Sequence, residues 1–223
     1  MKEYVNTFMH YRFLLRELVK KGIKLKYRRS YLGIIWSLLE PLLTMIVLTI
    51  VFGTLFGNKD KTFPVYILTG RLLYSYYSSS TTRALKSVRA NAAMIKKVYV
   101  PKYIYPLTRI MSSLINMLIS LIPLAAVAIF SGLLPNKTYF LLPFPLLCLA
   151  LFCLGLGMLL ASAMVFFRDI QFLWGVLITI WTYLTPIFYP VSALPDSVQV
   201  IVKMNPLYFA AIMPIKKVFQ KTK

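Results

Sequence analysis

The chain is poor in the residues that carry most enzyme chemistry. Its 223 residues include six carboxylates, two cysteines and one histidine. His10 alone supplies neither a Ser-His-Asp triad within the apolar part of the chain nor a histidine-rich metal site. The acids are Glu3, Glu17, Glu40, Asp60, Asp169 and Asp196, scattered and mostly at termini or turns, so no pair stands ready for general acid–base work. Cys148 and Cys153 fall within one apolar run, on different sides of a helix, and say nothing about redox compartment. Also missing are a GxxxxGK(S/T) phosphate loop, a GxGxxG fingerprint and, within residues 1–30, the apolar core of a cleavable leader. No P-loop, metal site or catalytic constellation is therefore expected in this chain.

Long hydrophobic runs are what it has instead. Hydrophobic side chains make up 59% of the sequence and charged ones 14%. Residues 110–134, 139–167 and 170–190 hold no ionisable group apart from tyrosine and cysteine. Residues 31–57 hold only Glu40, and 63–82 only Arg71. Runs of about 20 residues with so little charge read as membrane-spanning helices. The expected fold is an all-α polytopic membrane protein with five spans.

The formal charge of +20 raises the question of nucleic acid, but the positives cluster where loops belong and not on an independent soluble domain. Nucleic acid is thus not an expected partner. Residues 1–30 carry nine Lys/Arg and the 83–109 elbow seven with no acid, against two in Asn58–Thr62 and one in Pro135–Thr138. The positive-inside rule then places the amino terminus and the elbow in the cytoplasm and the two short hydrophilic turns outside. The expected location is the cytoplasmic (inner) membrane, with the chain multi-pass.

Within this frame, residues 1–30 form a cytoplasmic segment. Phe8, Tyr11, Leu14, Leu15, Leu18, Val19, Gly22 and Leu25 recur near helical spacing among five cations, as in an amphipathic helix lying on anionic membrane lipid. In the elbow, Ala84–Val98 reads as a short surface helix ended by Pro101, with Tyr99, Tyr103 and Tyr105 suited to the headgroup zone. Glu40 sits about 14 Å along the first span from Tyr31, and Arg71 about 16 Å from the inner end of the second, at ~1.5 Å per residue. Similar depths, and the cost of a lone charge in lipid, make Glu40 and Arg71 a candidate buried pair; the alternative is an Arg71 that snorkels or lines water by itself. Pro41 is expected to kink the first span. The second span is rich in hydroxyls, from Tyr66 to Thr82, and suits a protein-lined or wet surface. Gly53 and Gly57, and Gly157 and Ala161, are spaced for close helix approach. The turn Phe166–Ile170 makes the fourth and fifth spans antiparallel neighbours. Aromatic rings crowd the fifth span, either as an interfacial belt or as a path on which sugar rings stack. Residues 191–223 read as short external helices.

In combination, KLKYRRSYLGIIWSLLEPLLTMIVLTIVFGTLF, NAAMIKKVYVPKYIYPLT, VFFRDIQFLWGVLITIWTYLTPIFYP and the closing NPL resemble the ABC-2 permease subunits that export polysaccharides and teichoic acids. The resemblance spans about residues 10–208 in the family's order. It implies six membrane helices, a homodimer with a second copy of the permease, and a separate ABC ATPase subunit that holds ATP and Mg. It also implies that the amino-terminal helix and Asn91, Ile95, Lys96, Lys97, Tyr99 and Pro101 meet that ATPase. The implied passenger is a lipid-linked polysaccharide such as O-antigen, capsule, rhamnan or teichoic acid. Its route is sought along Tyr66, Tyr74, Tyr77, Trp174, Trp181 and Tyr183, with Arg28 and Arg29 drawing in anionic headgroups. Two departures stand out. Relatives have small or apolar residues where Arg71 stands, and they continue past NPL into a sixth span, which this chain is expected to lack. Competing readings are an exporter of a drug or small glycolipid, and a non-transport membrane component of polysaccharide assembly.

Overall fold

The computed structural model describes residues 2–27, 33–55, 62–132 and 142–187, with Pro195, Gln199, Val200, Val202, Met204, Asn205, Leu207 and Tyr208. The described residues are helical, in the order α1 (Lys2–Tyr27), α2 (Gly33–Leu55), α3 (Phe63–Ala90), α4 (Ala92–Ile95), α5 (Ile104–Phe130), α6 (Pro143–Phe166) and α7 (Ile170–Leu184). Three of them, α2, α5 and α6, are long and apolar enough to cross a membrane.

Helix α3 is the centre of the bundle and packs against α2, α5, α6 and α7. Its 28 residues reach about 42 Å at ~1.5 Å per residue, and Pro64 sits in its first turn, where no amide donor is lost. It is too polar to read as lipid-facing because its hydroxyls are spent inside the protein. Thr69, Ser80, Thr81 and Ser87 are buried and return their hydroxyls to carbonyls three or four residues back. The largest core cluster gathers Tyr74, Tyr77, Leu85, Ile110, Leu149, Cys153 and Trp174 from α3, α5, α6 and α7.

Small residues set the closest approaches. A Cβ on Gly157 would lie 2.8 Å from Ile110 Cδ1 and 3.1 Å from Ala84 Cβ, so α6 rests against both α3 and α5 there. Ala161, one turn on, is buried too. Gly57, the partner expected for Gly53, lies outside the described residues.

Several boundaries differ from the sequence pattern. The helix that carries the second span does not stop before a separate Ala84–Val98 surface helix; α3 runs unbroken to Ala90. The cause is amphipathicity. Arg83, Lys86 and Arg89 are exposed while Ala84, Leu85 and Ser87 are buried, so the cations leave the helix without breaking it. The elbow shrinks to the short α4 and an irregular stretch, since α5 begins at Ile104 and takes Pro106 into its first turn. The fifth span is shorter than 170–190. Thr185 is extended ahead of Pro186, which disfavours helix in the residue before it, and the 15 residues of α7 cover about 22 Å against a hydrocarbon core of ~30 Å. Helix α2 continues through Pro41. The region expected to carry or lack a sixth span, beyond Tyr208, lies outside the described residues.

Candidate functional site

Three polar stripes meet between α2, α3 and α5. Glu40, Pro41 and Thr44 come from α2, Arg71, Ser75, Ser79 and Arg83 from α3, and Ser113, Asn116 and Ser120 from α5. Glu40 and Thr44, the four α3 residues and the three α5 residues repeat at three- or four-residue steps, so each set is one face of its helix, and Pro41 adjoins Glu40. They line a half-open cavity of about 250 Å³, bounded on its apolar side by Leu72, Tyr76 and Met117. Part of the wall is already bonded, with Asn116 Nδ2 donating to Ser112 O at 2.8 Å and Ser120 Oγ to Asn116 O at 3.1 Å. Glu40 and Arg71 do share this cavity, but as neighbours along its wall and not as an ion pair. The one ion pair joining two described residues is Lys20–Glu17, 2.8 Å apart and exposed. Glu40 is exposed and Arg71 half-buried, and both line the cavity with the hydroxyls of α3 and α5.

The second feature is the elbow. Asn91 closes α3 and opens α4: its Nδ2 donates to Ser87 O at 2.7 Å, and its carbonyl accepts from Met94 N and Ile95 N, each at 3.0 Å. Ile95 turns inward to a cluster of Val100, Ile104 and Tyr105 that α1 covers with Tyr11, Leu14, Leu15 and Leu18. Tyr11 Oη reaches Tyr99 O at 3.4 Å. Part of the apolar stripe of the amphipathic amino-terminal helix thus lies on the protein's own elbow, while Phe13 remains 73% exposed. Lys96, Lys97, Val98 and Tyr99 form a projecting tip, Tyr99 being 87% exposed. Pro101 is half-buried and its carbonyl accepts from Ile104 N at 3.1 Å, which starts α5.

A protein-family model described as ABC-2 type transporter matches residues 14–213. The chain belongs to that family. Among similar proteins, the O-antigen export system permease protein RfbA of Myxococcus xanthus is 29% identical over 209 residues, 93% of this chain and 80% of the relative. RfbA of Klebsiella pneumoniae is 29% identical over 197 residues, covering 87% and 75%. The capsule polysaccharide export inner-membrane protein CtrC of Neisseria meningitidis serogroup B is 26% identical over 200 residues, covering 88% and 75%.

Within this ABC-2 transporter chain the six aromatic residues of the expected sugar route do not share one surface. Tyr74, Tyr77 and Trp174 are buried, with the Tyr77 and Trp174 rings edge to face at 6.3 Å. Tyr74 Oη donates to Ile178 O and accepts from Thr182 Oγ1 at 2.8 Å, which ties α3 to α7. Tyr66 is half-buried and donates to Pro186 O at 3.3 Å. Trp181 is half-buried, and only Tyr183 is openly exposed. Tyr66, Tyr74 and Trp181 thus find hydrogen-bond partners on neighbouring elements, while the buried Trp174 Nε1 has none among the described residues. Arg28 and Arg29 lie outside the described residues.

Sequence reasoning passed over two features. One is Asn205 of the NPL motif, buried beneath α7, where its Oδ1 accepts from Trp181 Nε1 at 3.1 Å and Leu207 N at 3.0 Å while its Nδ2 donates to Thr185 Oγ1 at 3.0 Å. The Asn-Pro dipeptide signals a turn but not its partners. The other is the serine and asparagine face of α5, legible as Ser113, Asn116 and Ser120 at helical spacing and pointing to the same cavity as the hydroxyls of α3.

Proposed function

We propose that the chain is the permease subunit of an ABC exporter carrying a lipid-linked polysaccharide across the cytoplasmic membrane. It works as a homodimer with a separate ATPase that holds ATP and Mg. The observation that carries this reading is the match over nearly the whole chain to O-antigen and capsule polysaccharide export permeases. The projecting tip at Lys96–Tyr99 supports it. A cationic, aromatic, solvent-facing knob braced by α1 has the form of a docking element, and the positive-inside rule puts it in the cytoplasm with the amino terminus. Asn91, Ile95 and Pro101 hold the knob's shape, while Lys96, Lys97 and Tyr99 offer groups to the ATPase. Arg28 and Arg29 serve to attract the anionic headgroup of the passenger.

The test is co-purification with the ABC ATPase of the same export system, followed by ATPase assay with lipid-linked glycan. The expected outcome is a stable complex whose turnover rises with the glycan. Replacing Lys96 and Lys97 by Glu together with Tyr99→Ala should cut that stimulation at least tenfold without lowering the permease's melting temperature. A complex whose ATPase ignores the glycan, or a triple variant that stimulates normally, overturns the reading or the role of the tip respectively.

A further inference from the structure

The α2–α3–α5 cavity carries a charge imbalance that packing does not explain. Arg71, Ser75, Ser79 and Arg83 stand at four-residue steps on α3, so one helix face presents a guanidinium, two hydroxyls and a second guanidinium over roughly 18 Å. Glu40 is the single carboxylate opposite them. Two further hydroxyls, Tyr76 Oη and Ser113 Oγ, have no hydrogen-bond partner among the described residues, but both oxygens are buried away from the cavity that their residues border. The guanidinium and hydroxyl stripe of α3, with Asn116 and Ser120 of α5, suits a polar visitor. The excess of cations over acid asks for an anion on that visitor, and a half-buried guanidinium is screened less than one in open water.

At about 250 Å³ the cavity lies below the ~300–1,000 Å³ of drug-sized ligand pockets and takes one ring-sized unit, not several. The same α3 stripe also borders a second hollow of about 300 Å³, lined by Tyr74, Ser78 and Thr82 as well, which offers room for an adjoining unit.

The geometry points to a subsite for one acidic sugar, carboxylated or phosphorylated, within the exported polymer. Arg71 grips the acid group with its planar fork, Arg83 supplies the second cation, and Glu40 accepts hydrogen bonds from ring hydroxyls. This assignment rests on the reading of the chain as a polysaccharide permease, and it makes Arg71 a specificity determinant for anionic over neutral glycans.

The test is calorimetric titration of the full chain in lipid nanodiscs with cellobiouronic acid, cellobiose and inorganic pyrophosphate. The acidic disaccharide should bind at least tenfold more tightly than cellobiose. Arg71→Leu should erase that preference, and Arg71→Lys should keep part of it because charge remains while the fork is lost. Should Arg71→Leu fail to fold, Arg83→Gln, at an exposed position, is expected to reduce the preference at least threefold. Equal binding of the two disaccharides, or a preference untouched by the arginine variants, overturns the subsite. Binding of pyrophosphate without the acidic disaccharide also overturns it and assigns the arginines to the lipid headgroup. Export of a neutral polymer by a chain with no acidic preference removes the subsite and leaves the permease reading standing. Acidic-sugar binding without ATPase-driven export does the reverse.

Discussion

Asn205 illustrates how one side chain can fix the end of an element. Its amide accepts from Trp181 Nε1 and Leu207 N and donates to Thr185 Oγ1, so the chain after α7 is folded back and held where Pro186 has stopped the helix. Replacing it with leucine leaves the Trp181 donor unpaired and should cost roughly 1–3 kcal/mol, read as a lower unfolding midpoint in detergent. Trp181→Phe, which removes the donor along with its need, should cost less. Gly157 makes the complementary case for size. Ile110 Cδ1 can swing away from an added side chain but Ala84 Cβ cannot, so Gly157→Leu should destabilise by about 1–3 kcal/mol. Gly155, with no neighbouring atom within 4 Å of its would-be Cβ, supplies the control, and Gly155→Leu should leave the midpoint unchanged. At this scale the sequence reads well where a residue is rare and poorly where it is common. Glu40 and Arg71 stood out as lone charges in apolar runs and do reach one cavity, yet whether two charges touch depends on what else lines the wall. Tyr74, Tyr77 and Trp174 look like a sugar platform because an aromatic ring is equally suited to stacking and to burial; only the hydrogen bond from Thr182 and the edge-to-face ring contact decide for burial.

The apolar runs named the helices at the level of elements, and charge misplaced their ends. A cation-rich stretch such as 83–90 reads as outside the bilayer, but its period-matched burial of Ala84, Leu85 and Ser87 keeps it on α3. The amphipathic stripe of α1 was equally clear in the sequence, and its partner was not, because Tyr11, Leu14, Leu15 and Leu18 fit a lipid surface as well as they fit Ile104 and Tyr105. The packing of α1 on α5 is testable by cross-linking. A Cβ on Gly22 would sit 3.8 Å from Ser112 Cβ, inside the ~3.5–4.5 Å range of disulfides. With Cys148 and Cys153 replaced by serine and alanine, the pair Gly22→Cys and Ser112→Cys should form an intramolecular disulfide under mild oxidation. It should appear as a non-reducing gel shift lost on reduction. Absence of the cross-link in folded protein would mean that α1 lies elsewhere.

Taken whole, the molecule is apolar in its core and on much of its described outside, with polar stripes between α2, α3 and α5. Leu43, Val47 and Ile50 of α2, Phe144, Leu147 and Leu151 of α6, and Phe172, Leu173 and Val176 of α7 are all exposed, which lipid or a second copy of the chain would cover. Among the described residues the cations gather at one end, on α1, the end of α3 and the elbow, and this asymmetry makes a prediction about sidedness that no single helix makes. If the basic end faces the cytoplasm, a cysteine placed at the exposed Lys96 position, in a chain freed of Cys148 and Cys153, should be silent to a membrane-impermeant thiol reagent added to intact cells. It should label fully once the cells are permeabilised. A cysteine at Gly132, exposed in the turn after α5 and so at the other end of a spanning helix, should show the opposite pattern and label in intact cells. Labelling of both sites from outside would mean that α5 does not cross the membrane. Reversal of the two patterns would invert the orientation and leave the tip at Lys96–Tyr99 facing a compartment without ATP, which no ATPase-driven exporter allows.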